Sequence, residues 1–324
     1  MLNLLKNTIV VIIRNIYISL IRVPISIFYI VYNFRNKYTH YVVVCNHIGD
    51  TLLTLGYLQT YKRKNNIEHM TFVTSKGMAP LAECYKQTLD DVMIKREKSL
   101  GLILDSGKTN LGNHVIKRIK NITIINPENA FVDEFFLYPS RFPMLSLKDC
   151  IKYGELELGE NAVFNAPICK DTDSSEVLMD MKVKKGCTII LAPYASVTKQ
   201  IPFSFFDMLS RFFSNNGFEV LTNITNPNQR IAEYSLPLCC DISDIAVVAE
   251  YCGWVIGIRS GLMDLLCYAR CHIIVLYPTD SPYMKFFGLT ALEDICADVL
   301  EYRFKNEEND ITYIINYVKQ RRKI

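Results

Sequence analysis

A group of polar residues interrupts an apolar run between residues 45 and 50. The stretch reads VVVCNHIGDTLL, and its break contains Asn46, His47, Gly49 and Asp50. Carboxylate and imidazole groups serve in proton transfer, and glycine lets the backbone approach a ligand closely. A structural interpretation is also open, because Asp is a favoured helix N-cap and a loop histidine is commonly held by hydrogen bonds.

A second candidate loop contains hydroxyls and a lysine. In ILAPYASVTKQIP, an apolar run is followed by Ser196, Thr198 and Lys199, before a helix predicted from about Pro202. A diphosphate needs such donors, and a charge-assisted hydrogen bond contributes about 1.5–3 kcal/mol. The alternative interpretation is an ordinary solvated loop lysine.

A third candidate site follows the run WVIGI. The next residues are Arg259, Ser260 and Gly261, and a predicted helix begins there, with free N–H groups that can accept an anion. Arg259 can add a bidentate fork. Asp264, one turn into this helix, either stabilises the positive helix end or binds sugar hydroxyls. Two cationic loops in one domain favour a nucleotide-diphosphate site.

These groups stand where strands give way to helices. Strand-like runs alternate with helix-like segments after residue 40, which is typical of parallel α/β sheets. The predicted strands are YVVVCN, HMTFVTS, DDVMIK, NITIINP, CTIILAPY, FEVLTNI, WVIGIR and HIIVLYP. The predicted helices are 51–64, 78–87, one near 110–118, 203–215, 242–252, 261–270 and 308–323. Ligands of doubly wound sheets bind outside the carboxyl ends of the strands, where all three candidate loops lie.

The chain is long enough for two domains, which a polar stretch near residues 165–185 would join. We expect a first Rossmann-like domain over 38–170 and a second over 171–306. A C-terminal helix and basic tail would occupy 307–324, and an amphipathic segment 1–37.

The N-terminal segment is apolar and basic. Residues 1–49 contain five Lys or Arg and no Asp or Glu. On a helix, Arg14 and Arg22 share one face with three Asn, and the opposite face is apolar. The basic residues and Pro24 leave no uninterrupted span of the length a bilayer needs. We expect a helix lying on an anionic membrane; packing on its own domain, or contact with another copy, is the alternative.

Composition excludes several classes of protein. A net charge of +3 without a basic stripe argues against nucleic-acid binding. The eleven cysteines lie scattered in apolar runs, so we expect reduced core thiols in a cytosolic protein, without a zinc site. Asp171–Asp173 matches an Asp-x-Asp metal-binding motif, but its position in the polar linker and not at a strand end argues against a metal site. The segment GLILDSGKT is one residue too long for a P-loop.

Three of these segments together resemble bacterial heptosyltransferases, glycosyltransferases of family 9. The stretch HIGDTLLTL is similar to their opening Gly-Asp motif. LAPYASVTKQIPFSFFDMLSRFFSNNGFEVL is similar to their segment with a donor-binding lysine, and DISDIAVVAEYCGWVIGIRSGLMDLLCYARCHIIVLYP to their phosphate-gripping segment. The resemblance covers about a third of the chain. It implies a GT-B fold, α/β with two doubly wound Rossmann-like domains facing a cleft.

The resemblance also implies roles for the candidate residues. Asp50 would be the catalytic base, with Asn46, His47 and Gly49 near the acceptor. Lys199 would contact the donor phosphates, and Ser260, Gly261 and Leu262 would form the phosphate-gripping turn, with Ser196, Thr198, Arg259 and Asp264 also at the donor. Arg259 stands where the family usually has Asp, and Asp264 where it usually has His. The sugar and the base therefore stay open.

The expected activity is inverting, metal-independent sugar transfer from a nucleotide-diphosphate donor, without a cofactor. The acceptor would be a lipid-linked surface glycan, such as lipopolysaccharide or capsule. The enzyme would be cytoplasmic and peripheral on the inner face of the plasma membrane. The alternatives are a nucleotide-sugar-modifying enzyme of the same architecture, such as an epimerase, and a non-catalytic membrane-associated glycan-assembly factor.

Overall fold

The chain divides into two compact units. The computed structural model describes residues 17, 21–44, 47–105, 119, 121–125, 145–168, 183–196, 198–278, 283–305 and 307–322. Described residues up to Ile125, together with Leu147–Asn165, belong to the first unit. Residues 145 and 146 and those from Ala166 onward belong to the second. The predicted boundary at 170/171 lies outside the described residues and stays a prediction.

The first unit contains a parallel sheet of four strands in the order β3-β2-β1-β4. The strands are β1 Thr39–Val44, β2 His69–Ser75, β3 Asp91–Lys95 and β4 Ile122–Ile125. The helices are α1 Val23–Asn33, α2 Ile48–Lys64, α3 Ala79–Glu83, α4 Glu97–Asp105 and α5 Leu147–Asp149, which continues as a π-helix over Cys150–Glu155.

Helix α1 covers one face of this sheet. Its buried side presents Val23 and Ile30, and Phe34 follows at the helix end. Ile30 and Phe34 belong to one core cluster with Tyr41, Val43, Val73, Leu100, Ile103 and Ile122. The part of the N-terminal segment that forms α1 therefore packs on its own domain, which was the alternative expectation. Residues 1–16 and 18–20, which carry most of the predicted amphipathic helix, lie outside the described residues.

The last residues of the first unit lie across α2. The Phe164 ring occupies the place where a Cβ on Gly56 would be. The backbone N–H of Asn165 donates to the carbonyl of Gly56 at 2.8 Å, and the Thr60 hydroxyl donates to the carbonyl of Val163 at 2.9 Å. A side chain at position 56 would displace this segment, so glycine is required there.

The second unit contains a parallel sheet of six strands in the order β10-β9-β8-β5-β6-β7. The strands are β5 Thr188–Ala192, β6 Glu219–Asn223, β7 Leu236–Leu238, β8 Gly253–Ile258, β9 His272–Tyr277 and β10 Asp298–Arg303. The helices are α6 Phe203–Asn215, α7 Ile245–Cys252, α8 Gly261–Leu266, α9 Tyr283–Phe286 and α10 Glu307–Arg322, with a 3₁₀ turn at Leu289–Ala291.

Aromatic and aliphatic side chains fill the core beside α6. Phe205, Leu209 and Phe213, spaced four residues apart on α6, are buried against strands of the sheet. Ile314 and Val318 of α10 join the same cluster, so the C-terminal helix packs on the second unit.

Helix α7 passes directly into β8. Gly253 is both the C-cap of the helix and the first residue of the strand, with φ at +92°. A Cβ there would lie 3.0 Å from the Cα of Gly186. The left-handed backbone and the close neighbour both favour glycine at this junction.

The α/β prediction is confirmed, and all eight predicted strands are present. Helices α3 and α8 end earlier than expected, at Glu83 and Leu266, because the chain continues in tight turns with bonds between residues three apart. The sequence did not predict α4, α5, α9, β7 or β10. The helix expected near 110–118 lies outside the described residues. No helix of the described residues is long and apolar enough to cross a membrane.

Candidate active site

Asp50 lies in the first turn of α2, directly beyond the end of β1. Helix α2 begins at Ile48, and His47 rather than Asp50 is its N-cap. The backbone N–H of Thr51 donates to the carbonyl of His47 at 3.0 Å. The N-cap interpretation of Asp50 is therefore wrong, since the helix starts two residues before it. Because it is the third helical residue, its carboxylate stands at the positive end of the helix, which favours negative charge.

The residues around Asp50 differ in exposure. Asp50 is 8% exposed, whereas His47 is exposed. Gly49 is buried within the helix instead of forming a loop. Asn46, which we expected near an acceptor, lies outside the described residues. The site roles of these residues stay predictions.

The two predicted donor loops both begin at the carboxyl ends of neighbouring central strands of the second sheet. Strands β5 and β8 are parallel neighbours, and Ala192 pairs with Gly257 near their carboxyl ends. The loop after β5 contains Thr198, whose hydroxyl donates to the backbone carbonyl of Arg259 at 3.0 Å. The structure thus brings together two loops that are 61 residues apart in sequence.

The tip of the loop after β5 points its polar residues outward. Ser196 and Lys199 are exposed, and Thr198 is partly buried by its bond to the neighbouring loop. The Gln200 side chain donates to the carbonyl of Ala195 at 2.6 Å and closes the loop on itself. Within the described part of the chain, Lys199 makes no ion pair. Because Lys199 is exposed, its ammonium can be reached by an anionic ligand from the solvent.

Arg259 and Asp264 form a buried ion pair. Nη2 of Arg259 lies 2.7 Å from one carboxylate oxygen, and Nη1 lies 3.0 Å from the other. The two side chains are only 9% and 4% exposed. The fork that we expected to hold a phosphate is occupied by Asp264, and neither expected role of Asp264 included this pairing. A direct contact of Arg259 with phosphate stays a prediction, and it would require this pair to open.

Arg259 also holds two backbone segments. Its Nε donates to the carbonyl of Phe287 at 2.6 Å, and Nη1 donates to the carbonyl of Ser260 at 2.7 Å. The segment after α9 is fixed further by Glu301 of β10, which accepts from the N–H of Leu289 at 2.8 Å and from the hydroxyl of Thr290 at 2.7 Å. Sequence reasoning missed Phe287 and Glu301. The available signal was an acidic residue inside the strand-like run DVLEYR.

The electrostatics keep Arg259 charged. Burial alone opposes its charge, but the adjacent Asp264 outweighs that effect and raises the pKa of the guanidinium. For the nearby Tyr277 hydroxyl, burial acts in the other direction and raises the pKa, so this group stays neutral at physiological pH. The charge of Arg259 is neutralised by Asp264, so Lys199 is the exposed positive charge of these two loops.

Ser260 stands just before helix α8 and has an enclosed hydroxyl. It is the N-cap, with extended backbone at φ −154°, and its Oγ makes no hydrogen bond with the described residues. The next two residues, Gly261 and Leu262, are partly buried and start the helix. Their N–H groups belong to the first turn, which has no partners within a helix. A small anion could therefore use the Ser260 hydroxyl together with these donors.

Other sequence motifs have no place in this arrangement. Residues Gly101–Asp105 of the P-loop-like segment form the second half of α4, so they are helical and not a phosphate-binding loop. The Asp-x-Asp at Asp171–Asp173 lies outside the described residues. Among the residues with a described position, no group of three His, Cys, Asp or Glu could hold a metal ion.

The chain has the fold of several solved glycosyltransferases. It superposes on E. coli ADP-heptose LPS heptosyltransferase II with a TM-score of 0.58, over 87% of this chain and 99% of that one, at 10% identity. The fold is GT-B. The resemblance to heptosyltransferases seen in the three sequence segments is thus confirmed at the level of structure.

Two further solved structures share this GT-B fold. E. coli heptosyltransferase WaaC with ADP-2-deoxy-2-fluoro heptose superposes with a TM-score of 0.52, covering 87% of this chain and 99% of that one at 11% identity. A family 9 glycosyltransferase from Veillonella parvula gives 0.52, covering 86% and 91% at 15% identity. No protein-family model and no curated protein matches the sequence. At these identities the likeness establishes the fold.

Proposed function

We propose that this chain is an inverting glycosyltransferase that moves a sugar from a nucleotide-diphosphate donor to a lipid-linked glycan of the cell envelope. The observation that carries the proposal is the contact between Thr198 and Arg259, which joins the two predicted donor loops at one sheet edge. Ligands of doubly wound sheets bind at such edges. Two of the solved structures that this chain resembles are heptosyltransferases, and one of them holds ADP-2-deoxy-2-fluoro heptose. An adenosine diphosphate sugar is therefore the first donor to test.

The donor would bind on the second unit. Lys199 supplies an exposed charge, Ser196 and Thr198 supply hydroxyls, and the Ser260–Leu262 turn supplies backbone N–H groups. Arg259 and Asp264 would position the turn without contacting the donor. Their mutual bonds and the bond from Arg259 to Phe287 hold the turn in place. In this assignment, Lys199 neutralises the diphosphate as it leaves.

Asp50 would be the base. The acceptor hydroxyl gives its proton to the Asp50 carboxylate as its oxygen bonds to the anomeric carbon, and the bond from that carbon to the diphosphate breaks. His47 and Gly49, with Asn46, would line the acceptor position. A positioned base contributes about 10²- to 10⁴-fold to the rate. The chain's own cations and helix N–H groups would stabilise the leaving group, so the proposed reaction is metal-independent.

The place of action would be the cytoplasmic face of the membrane, where a lipid-linked acceptor is accessible. The absence of acidic residues from 1–49 supports attraction to an anionic leaflet. The N-terminal segment 1–37 would supply this attraction.

Donor binding and turnover test the proposal separately. Isothermal titration with ADP should show about tenfold to hundredfold weaker binding for Lys199→Ala. Lys185→Ala is a matched control, because this exposed lysine precedes β5 and lies at the opposite end of the strand. Equal ADP affinity of the wild type and Lys199→Ala would remove Lys199 from the donor site.

Turnover is measured as ADP release from an ADP-sugar with and without a lipid-linked acceptor. Asp50→Asn should lower the rate by at least about 100-fold while ADP affinity is unchanged. Donor conversion that needs no acceptor would indicate a nucleotide-sugar-modifying enzyme instead. Vesicle binding without any binding of nucleotide or nucleotide sugar would indicate an assembly factor.

A further inference from the structure

The outer side of helix α1 is an exposed apolar surface. Phe28 is 73% exposed, and Ile25, Val31 and Tyr32 are each more than half exposed. We call these residues the α1 outer face: Ile25, Phe28, Val31 and Tyr32. They lie opposite the buried residues Val23, Ser26 and Ile30, which fix the helix to its sheet. The helix is therefore apolar on both sides, and only one side is covered by the described chain.

Positive charges border this face. The Arg35 guanidinium lies 4.2 Å from the centre of the Tyr32 ring, and Tyr32 in turn stacks with Phe28 at 6.4 Å. Lys37 lies 5.2 Å from the ring of Tyr38, which is itself 76% exposed. The cation of Arg35 over Tyr32 places charge at the rim of the apolar surface while its stem covers the edge, and Lys37 adds a second charge two residues later in the chain.

We propose that the α1 outer face docks in the interface of an anionic bilayer, with the helix axis in the membrane plane. Phe28 and Ile25 would enter the acyl boundary, Tyr32 and Tyr38 would lie at headgroup level, and Arg35 and Lys37 would contact anionic lipid phosphates. Aromatic residues and basic residues divide an interfacial surface in this way. The docking surface rests on the proposed function, because its role would be to bring the enzyme to a lipid-linked acceptor.

The charge pattern favours a bilayer over a second copy of the chain. A two-fold contact through the same face would bring Arg35 and Lys37 of both copies close together without an acidic partner from residues 1–49. An anionic leaflet supplies the opposite charge over the whole surface. The protein-facing side of α1 is already packed on its own unit, with Val23 and Ile30 at most 1% exposed, so docking of the outer face needs no rearrangement of the helix.

Flotation with vesicles tests the surface on the full chain. The vesicles contain phosphatidylglycerol and phosphatidylethanolamine, or phosphatidylcholine alone. Ile25→Ser/Phe28→Ser should weaken partition to the anionic vesicles by at least about tenfold. Arg35→Gln/Lys37→Gln should weaken it by about tenfold on anionic vesicles and leave the small partition to neutral vesicles unchanged.

The matched control removes equally exposed apolar side chains elsewhere. Val163→Ser/Leu236→Ser changes residues that are 60% and 54% exposed and should partition like the wild type. Near-ultraviolet circular dichroism checks folding, and if the apolar double variant is unfolded, the Arg35→Gln/Lys37→Gln variant decides. Unchanged partition of the folded α1 variants would overturn the proposal. So would a concentration-dependent dimer in sedimentation that the α1 variants abolish.

The result is independent of donor chemistry. Lys199→Ala should float like the wild type even where its ADP affinity is lost, and Ile25→Ser/Phe28→Ser should keep its ADP affinity. If the wild type floats with anionic vesicles but does not bind ADP, the proposed function is rejected and the docking surface is not. If the wild type binds ADP but does not float, the docking surface is rejected and the proposed function is not.

Discussion

The hydroxyl of Thr198 and the backbone carbonyl of Arg259 are joined by a hydrogen bond of 3.0 Å. This bond connects the loop that carries Lys199 with the turn that starts helix α8. Because the bond uses the carbonyl of Arg259 and not its side chain, it fixes the path of the turn whatever the guanidinium contacts.

Thr198→Val should loosen this connection. Valine keeps the shape but cannot donate, so we expect about 2- to 10-fold weaker ADP binding with a small change in stability. Isothermal titration measures the affinity. Thr198→Ser keeps the donor and should bind like the wild type; a serine variant as weak as the valine one would show that the methyl group, and not the bond, matters.

Breaking the Arg259–Asp264 pair should destabilise the second unit. Arg259→Met leaves a buried carboxylate without its cation, which costs about 3–5 kcal/mol in the free energy of unfolding. Arg259→Lys keeps the charge but cannot form both bonds, so it should also be destabilised. Urea denaturation gives the free energies.

The double variant Arg259→Met/Asp264→Leu is the control for that experiment. It removes both charges together and should recover much of the lost stability. A single Arg259→Met variant as stable as the wild type would show that the pair does not hold the turn.

Gly257→Ala should destabilise the second sheet. A Cβ at this position would lie 2.6 Å from the Cβ of Ala192 and 2.8 Å from its carbonyl oxygen. Forcing a methyl group into such a packed site costs about 1–3 kcal/mol. Thermal unfolding measures the effect. Gly101→Ala is the matched control, because it has open space within a helix and should be stabilised by about 0.5–1 kcal/mol.

Asp90 should give the first unit a pH-dependent stability. Partial burial works to raise its pKa, but bonds from Lys62 at 2.5 and 2.6 Å and from the N–H of Met70 at 2.7 Å outweigh it and lower the pKa. A lowered pKa means that the charged form is favoured in the folded state. The resulting stability is present above the ordinary pKa of 3.8 and is lost as pH falls through the folded value.

We therefore expect Asp90→Asn to lower the free energy of unfolding by about 1 kcal/mol at pH 7. The difference from the wild type should shrink as the pH falls below 3.8 and disappear once Asp90 is protonated in the folded protein. Urea denaturation at a series of pH values measures it. A constant difference across the series would assign the effect to packing instead of charge.

The order of strands and helices was predictable because each buried strand is a short apolar run bounded by polar residues. Strand β7 was not predicted because it has three residues, includes Pro237 and lies at a sheet edge. Strand β10 was not predicted because it is only partly buried and charged residues interrupt its apolar ones. Edge strands need less apolar sequence, so periodicity identifies them poorly.

The candidate residues were predictable as types, but their partners were not. Arg259 and Asp264 are five residues apart, a spacing that no regular helix or strand brings together. Only the strand–turn–helix geometry turns the two side chains toward each other. Phe287 and Glu301 lie farther along the chain, and their contacts depend on how the segment between β9 and β10 folds back.

The junction at Gly253 limits how this protein can change by insertion. Since helix α7 becomes strand β8 without an intervening loop, one extra residue there would shift the whole strand along its neighbours. Ile256 would then take the place of Gly257 beside Ala192, where even a methyl group does not fit. Length variation among natural or engineered versions should therefore collect in the exposed stretch from Thr225 to Arg230, and not at this joint.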